Sequence, residues 1–573
     1  MEGEELEVDF TVQAVENLVT QFSAALDFYR ELVQNSIDAG SSSVEVWTEL
    51  LPGAEGEGTI AIHVDDGGEG MNEEIIDNQL TRLFASSKAG DLTKIGKFGI
   101  GFVSIFAPDP KAVLLHTGRG GECWELLFHP DRSFTKSRIE GPVEGTQITL
   151  FLAGDRGRYR QVVAESEAVL RRWCVHSEVE VTFEDRSFGR GPVVINEPFA
   201  VPGRCPARAS REGTEVVLAY SEAPLCGFYN KGLSLTPNPA DRTPVQEHEE
   251  RLRHVSFKVK SRYLEHTLSR DTVVREGNFH KAMALVLDTA SGALQEGLVA
   301  ALEELARRPV WDTGELATYY ELVGYLAAEP PEELERWRGR KLLRRVDGGA
   351  ASLDEVEEAV QDEGVGFVAD ARTGCAEHLL QREVPVLQAS VPRELGRSAR
   401  PEDFGAVGAL IGRYVGHRRR RGVRGLLRRV GLGRGDPGVA TPEQVYLAIE
   451  ELRPGADERA LLFAADELLR RVDEVYGRIA LCRIAAPDPP LFVVAREIAA
   501  FMRRPEPGGR RWWRGRRPQV AVERGHPHFA AMLRLWPVDP AMAAYCLARA
   551  LLLDEERERG RALLDAARGE VRR

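Results

Sequence analysis

No two of the seven cysteines in this 573-residue chain stand in a C-x-x-C spacing. An odd number of scattered thiols, Cys123, Cys174, Cys205, Cys226, Cys375, Cys482 and Cys546, builds neither a disulfide framework nor a structural zinc site. The sequence also lacks a basic start followed by an apolar run: Met1 leads into Glu2, Glu4, Glu5 and Glu7, which argues against a signal peptide. No stretch approaches the roughly 20 apolar residues of a membrane span. Excess positive charge is missing as well. The formal net charge is −14, so the molecule as a whole is not an electrostatic nucleic-acid binder. A cytoplasmic protein with no membrane partner is the expectation.

What is present is a globular balance, 43% hydrophobic and 29% charged residues, long enough for several cores. Arginine far outnumbers lysine. Apolar spacing predicts a helix over Asp27 to Ala39, with Phe28, Leu32 and Ile37 inward. Alternation predicts strands at Val44–Trp47 and Thr59–Val64, each followed by a Gly-rich turn. A helix over Tyr159 to Cys174 and a strand over Val179–Phe183 lead to a first boundary near 188, at Ser187-Phe188-Gly189-Arg190-Gly191. The block to about 395 carries a strand at Val255–Val259 and a long helix over Lys281 to Ala306. It then has a strand, helix, strand unit at Val365–Ala369, Ala376–Arg382 and Val384–Leu387. The last block reads as mainly helical. Thr441-Pro442 with Gln444 resembles an N-cap, a first-turn proline and a capping-box partner, and Asp539-Pro540 opens another helix. No internal repeat is visible.

Four segments in a fixed order carry the chemistry. Glu31-Leu-Val-Gln-Asn35-Ser-Ile-Asp38 places an amide and two carboxylates along one helical stripe, able to hold a metal, a water or a polar ligand. Magnesium keeps most of its waters, so one protein oxygen such as that of Asn35 suffices. Solvated faces of this composition are also common. Asp66-Gly-Gly-Glu-Gly70-Met71 follows a strand. Its Asp can accept from an exocyclic amine, its glycines let backbone approach a flat ligand, and Met71 offers a soft apolar surface. Read alone it is equally a Gly-rich turn. Gly96-Lys-Phe-Gly99-Ile-Gly101-Phe102 can present backbone N–H groups to phosphates. Gly145-Thr146 opens a strand with a hydroxyl at its start.

Together the four resemble the nucleotide-binding boxes of the GHKL ATPases, the superfamily of gyrase, chaperone, histidine-kinase and mismatch-repair proteins. No GxxxxGK[ST] loop is present to suggest the P-loop alternative. The string from Ile95 to Phe106, IGKFGIGFVSIF, is similar to the heat-shock-protein-90 version, whereas MutL proteins carry GFRGEAL there. Leu268-Ser269-Arg270-Asp271 resembles the LSRE segment of that chaperone family's middle domain.

The resemblance implies an α+β fold: a Bergerat-type ATPase sandwich over 1–188, an α/β middle domain over 189–395, and a mainly helical domain over 396–573. It implies ATP and Mg2+ as ligands. Glu31 would activate water and Arg270 would reach the γ-phosphate. Asn35 would ligate magnesium, with Asp38 supporting the pocket. Asp66 and Thr146 would read the adenine, with Gly70 and Met71 against the base. Gly96, Gly99, Gly101 and Phe102 would line the phosphates, and Phe84 to Thr93 would form a lid. It further implies a homodimeric clamp acting on client proteins.

The lid departs from the pattern at Ala85, where the family often has lysine, and beyond 395 the likeness fades. Arg418–Arg434 and Arg510–Arg517 are read as solvated charge. Trp512-Trp513 inside the second run nevertheless keeps open a GHKL ATPase that acts on nucleic acid, as mismatch-repair and topoisomerase relatives do. His526-Pro-His528 is assigned to a turn rather than to a metal.

Overall fold

The structure is a computed structural model. It describes residues 24–53, 58–80, 101–236, 238–265, 272–392, 400–421, 438–472, 475–486, 489–504, 517–552 and 561–567. The lid segment, Gly96, Gly99, Arg270, the stretch 422–437 and almost all of Arg510–Arg517 lie outside these residues. The chain forms two compact units, Met1–Gly297 and Leu298–Arg573.

The first unit opens with helix α1 (Phe28–Asp38) and strands β1 (Ser43–Pro52) and β2 (Gly58–Asp66). A short 3-10 turn, Phe102–Phe106, precedes β3 (Ala112–Arg119), β4 (Glu122–Phe128), β5 (Phe134–Arg138) and β6 (Gly145–Ala153). Helix α2 (Arg156–Cys174) then leads to β7 (Glu180–Asp185) and β8 (Arg190–Val194). These eight strands make one sheet in the order β5-β4-β3-β6-β2-β1-β7-β8. Every neighbouring pair is antiparallel except β1 with β7, and α2 carries the chain from β6 across to β7.

Strand alternation decides which face is buried. Val44, Val46, Ile60, Ile62, Val64, Ile148 and Leu150 point to one side, where they meet Phe28, Leu32 and Val33 of α1 and Tyr159, Val162 and Leu170 of α2. On the opposite face Trp47 stacks on His63 at 4.7 Å, and the Arg186 guanidinium caps Trp47 at 4.1 Å. Tyr29 donates to Ser166 at 2.9 Å and Trp173 to Asp27 at 2.8 Å, so α1 and α2 are bound to each other through buried polar groups.

A second sheet follows in the same unit, built from β9 (Arg204–Arg211), β10 (Thr214–Tyr220), β11 (Cys226–Asn230), β12 (Leu233–Ser234) and β13 (Val255–Ser261). Its order is β12-β11-β13-β10-β9. Helix α3 (Gly277–Thr289) covers it through buried Phe279, Met283 and Val286. The expected helix over Lys281 to Ala306 is interrupted by a π-turn at Ala290–Leu294. The stretch Gly277–Arg307 is long and apolar enough to cross a membrane by length and composition, and 44% of its apolar 18-residue window is buried within the fold. Residue 188 falls in the turn between β7 and β8 of the first sheet.

In the second unit Val365–Ala369 is the central strand of a three-stranded parallel sheet, between Val386–Gln388 and Gly438–Ala440. Helix Gly374–Leu380 makes the crossover between the first two strands. The region after 395, expected to be mainly helical, also contains a five-stranded sheet. Its strands are Phe492–Ala495, Gln519–Glu523, Arg478–Ala485, Tyr446–Glu451 and Phe501–Arg503, in that spatial order. The capping box at Thr441 and Gln444 is present, yet the helix it opens stops after Val445. Tyr446, Leu447 and Ile449 are buried in the sheet, and that tertiary burial overrides the local helix signal. Asp539 caps its helix through Met542 N–H, and His526 does the same for Pro527–Leu535 by accepting from His528 N–H.

Candidate functional site

The end of β2 and its neighbours gather most of the expected residues. Asp66 pairs with Thr146 across the β2–β6 ladder. Its Oδ2 accepts from the Ser36 hydroxyl of α1 at 2.9 Å, and its Oδ1 accepts from Gly68 N–H at 2.8 Å. Burial raises the carboxyl pKa above its usual value, while the Gly68, Ser36 and Thr146 hydrogen bonds pull it back. The carboxylate is thus fixed at both oxygens. Each oxygen still has a lone pair for a further donor.

Thr117 of β3 completes this corner. Its hydroxyl donates to Gly145 O at 3.1 Å, lies 3.2 Å from the Thr146 hydroxyl, and accepts from Met71 N–H at 2.9 Å. That bond sets the chain just after Gly70. Gly70 has φ +64°, and a Cβ there would come within 2.1 Å of Gly118 O, so only glycine fits the approach to β3. Met71 is partly buried against the sheet core.

The α1 stripe is divided by environment. Glu31 is buried and bonded to Arg30, whose Nη1 lies 2.8 Å from Glu31 Oε1. Arg30 is itself buried and donates through Nε to Ser234 O at 3.1 Å. Gly101 sits directly over Glu31: a Cβ on it would come within 2.5 Å of Glu31 Oε2. The structure therefore brings the start of the first motif against the end of the third. Asn35 and Asp38 emerge at the exposed end of the helix. Asp38 accepts from Gln34 at 3.2 Å and pairs with Lys231 from the second sheet. Phe102 points its ring into the core, 5.7 Å from the Phe128 ring, so only its backbone is available to a ligand.

Three contributors escaped the sequence reading: Ser36, Thr117 and Arg30. Ser36 lies inside the first motif but on its buried side. Thr117 belongs to no motif. Arg30 is next to Glu31 in the chain, a spacing that does not usually face side chains together on a helix.

Chemically the corner offers a fixed carboxylate, two hydroxyls, a glycine turn and a thioether wall, which suits a planar base with an amine. The exposed Asn35 and Asp38 oxygens and the buried Glu31 lie one to two turns away along α1. Residues 24–138 match the family described as histidine kinase-, DNA gyrase B- and HSP90-like ATPases, and the arrangement is consistent with an ATPase domain of that GHKL type. A curated relative is the chaperone protein HtpG of Rhodospirillum rubrum, to which the chain is 38% identical over 114 residues. That likeness covers 17% of this chain and 18% of HtpG.

Proposed function

We propose that this chain is a chaperone-like ATPase, which binds ATP with magnesium at the α1, β2, β3 and β6 corner, hydrolyses it, and couples the cycle to closure of a homodimeric clamp on client proteins. The observation that carries the reading is Asp66, held by Ser36 and Gly68 beside Thr146. Its free lone pairs accept from the adenine amine, and Met71 lies against the base. Asn35, exposed on α1, holds magnesium, with Asp38 beside it. When bound, magnesium neutralises phosphate charge. Glu31 orients and deprotonates the attacking water. Arg270, outside the described residues, supplies positive charge at the γ-phosphate. The likeness to HtpG supports the chaperone part of the reading over the matched stretch.

Titration calorimetry with ATP and magnesium tests the pocket: wild type binds, and Asp66→Asn binds more weakly. A wild type that shows no nucleotide binding sinks the reading. Arg270→Ala slows hydrolysis while leaving binding intact, and client aggregation is suppressed in an ATP-dependent way. Aggregation curves that ignore ATP remove the chaperone part alone.

A further inference from the structure

The turn between β11 and β12 seats the second sheet on the ATPase helices. Leu233 is fully buried in the core of the first sheet. The Ser234 carbonyl accepts from Arg30, and Lys231 pairs with Asp38. Gly232, at φ +80°, lies so close to α2's exit that a Cβ would come within 1.7 Å of the His176 carbonyl oxygen.

His176 itself is held from all sides. The edges of Phe199 and Tyr229 enclose its ring, with centroids 5.2 and 5.1 Å away. Its Nδ1 lies 3.1 Å from the Glu197 carbonyl, and its Nε2 lies 2.8 Å from Lys258 Nζ on β13. A carbonyl only accepts and an ammonium only donates. Both bonds therefore exist together only in the neutral tautomer with the proton on Nδ1. A second proton would sit on Nε2, facing the ammonium.

The charged groups around the ring do not relieve that conflict. Lys260 lies over the Phe199 ring at 5.0 Å and is paired with Glu215. The Glu197 carboxylate is half given to Arg171, at 3.5 Å, and Lys231 is engaged by Asp38. Tyr229 is pushed by burial up to about 12 and stays neutral. Burial holds the His176 imidazole below its ordinary 6.5, aided by Lys258 and Lys260 and opposed by Glu197. With the folded value below the unfolded one, the unfolded chain takes up protons first. Stability from this site is full above about 6.5 and falls as the pH drops beneath it.

We propose that His176 and Lys258 are positioning residues for Glu31 and Asp38, acting through the Tyr229–Leu235 hairpin, and that protonation of His176 releases this hold. The inference rests on the ATPase reading above and adds an acid-operated control to the same site.

The test compares full-length wild type, His176→Gln and Lys258→Met between about pH 8 and about pH 5.5. Glutamine keeps an acceptor toward Lys258 and cannot gain a proton. At the alkaline end wild type and His176→Gln have equal kcat, while Lys258→Met is already slow. At the acid end wild-type kcat falls below that of His176→Gln by a margin that widens as the pH is lowered, with nucleotide Kd staying within about twofold of that variant's at the same pH. Superimposable wild-type and His176→Gln profiles overturn the proposal, as does a loss confined to Kd. A wild type that hydrolyses no ATP at any pH defeats the ATPase reading instead. The melting temperature then decides the latch: wild type melts below His176→Gln only at the acid end, and equal melting there overturns it.

Discussion

Arg30 Nη1 stands 2.8 Å from Glu31 Oε1, with the two side chains only 5% and 8% exposed. The pair is adjacent in sequence, and Arg30 keeps its place because Ser234 O takes its Nε proton. A buried ion pair of this kind adds little net stability, but removing one partner strands the other charge. Arg30→Ala is expected to destabilise the fold by about 3–5 kcal/mol in urea denaturation. Arg30→Met combined with Glu31→Leu is expected to recover most of that loss. A double variant as unstable as Arg30→Ala would show that the Ser234 hydrogen bond of Arg30 and its place 5.7 Å over the Trp173 ring, rather than the charge pair, dominate.

Glu31 also has Gly101 against its other oxygen, so its carboxylate is placed from two directions. Glu31→Gln preserves the shape and removes the base. Turnover is expected to fall by roughly 10²- to 10⁴-fold with ATP affinity nearly unchanged. Single-turnover hydrolysis alongside equilibrium binding separates the two quantities. Intact turnover would remove Glu31 from the chemistry.

Asp66 carries a pH signature. Its pKa is raised by burial, so the folded value lies above the unfolded one and holding it ionised costs stability near neutrality. That cost disappears as the pH falls through the folded value. Binding has the opposite sense: the adenine amine needs the ionised form, so ATP affinity declines at a higher pH than for an ordinary carboxylate at 3.8. Asp66→Asn is expected to be at least as stable as wild type without nucleotide. It is also expected to lose about 1.5–3 kcal/mol of ATP binding, because a donor now faces a donor. Melting and calorimetry across pH read both effects.

Local signals carried the sequence reading as far as local physics reaches. The helix around Glu31 and Asn35, the strands before Asp66 and after Gly145, and the caps at Thr441 and Asp539 all follow from residues within a turn or two of each other. What was not legible depends on pairing across the sheet. The His116-Thr117-Gly118 string has no signature, and Thr117 matters only because β3 lies beside β6 in a register that sets it opposite Thr146. The segment after Thr441 shows the same limit. Its cap reads as helix, yet burial of Tyr446, Leu447 and Ile449 in a mixed sheet turns the chain into a strand after one turn. Glu31, Asn35 and Asp38 share a helical stripe as their spacing requires. Contacts from Arg30, Gly101 and Lys231 then give them different surroundings.

Thr117 is therefore the sharpest test of the corner that no motif announced. Valine has nearly the same shape, so Thr117→Val removes the hydroxyl and little else. Met71 N–H loses its acceptor, and Gly145 O loses one donor. Each unsatisfied group costs about 1–3 kcal/mol where water cannot replace the partner. Part of that cost appears as reduced stability. The remainder appears as weaker ATP binding, since the Gly70–Met71 segment is no longer held against β3. Thr146→Val leaves the Met71 bond in place and is expected to affect nucleotide affinity with a smaller change in melting temperature. If Thr117→Val melts as wild type does and binds ATP as well, the hydroxyl is not what sets the base-facing wall, and Gly70 with its close approach to Gly118 O must do so alone.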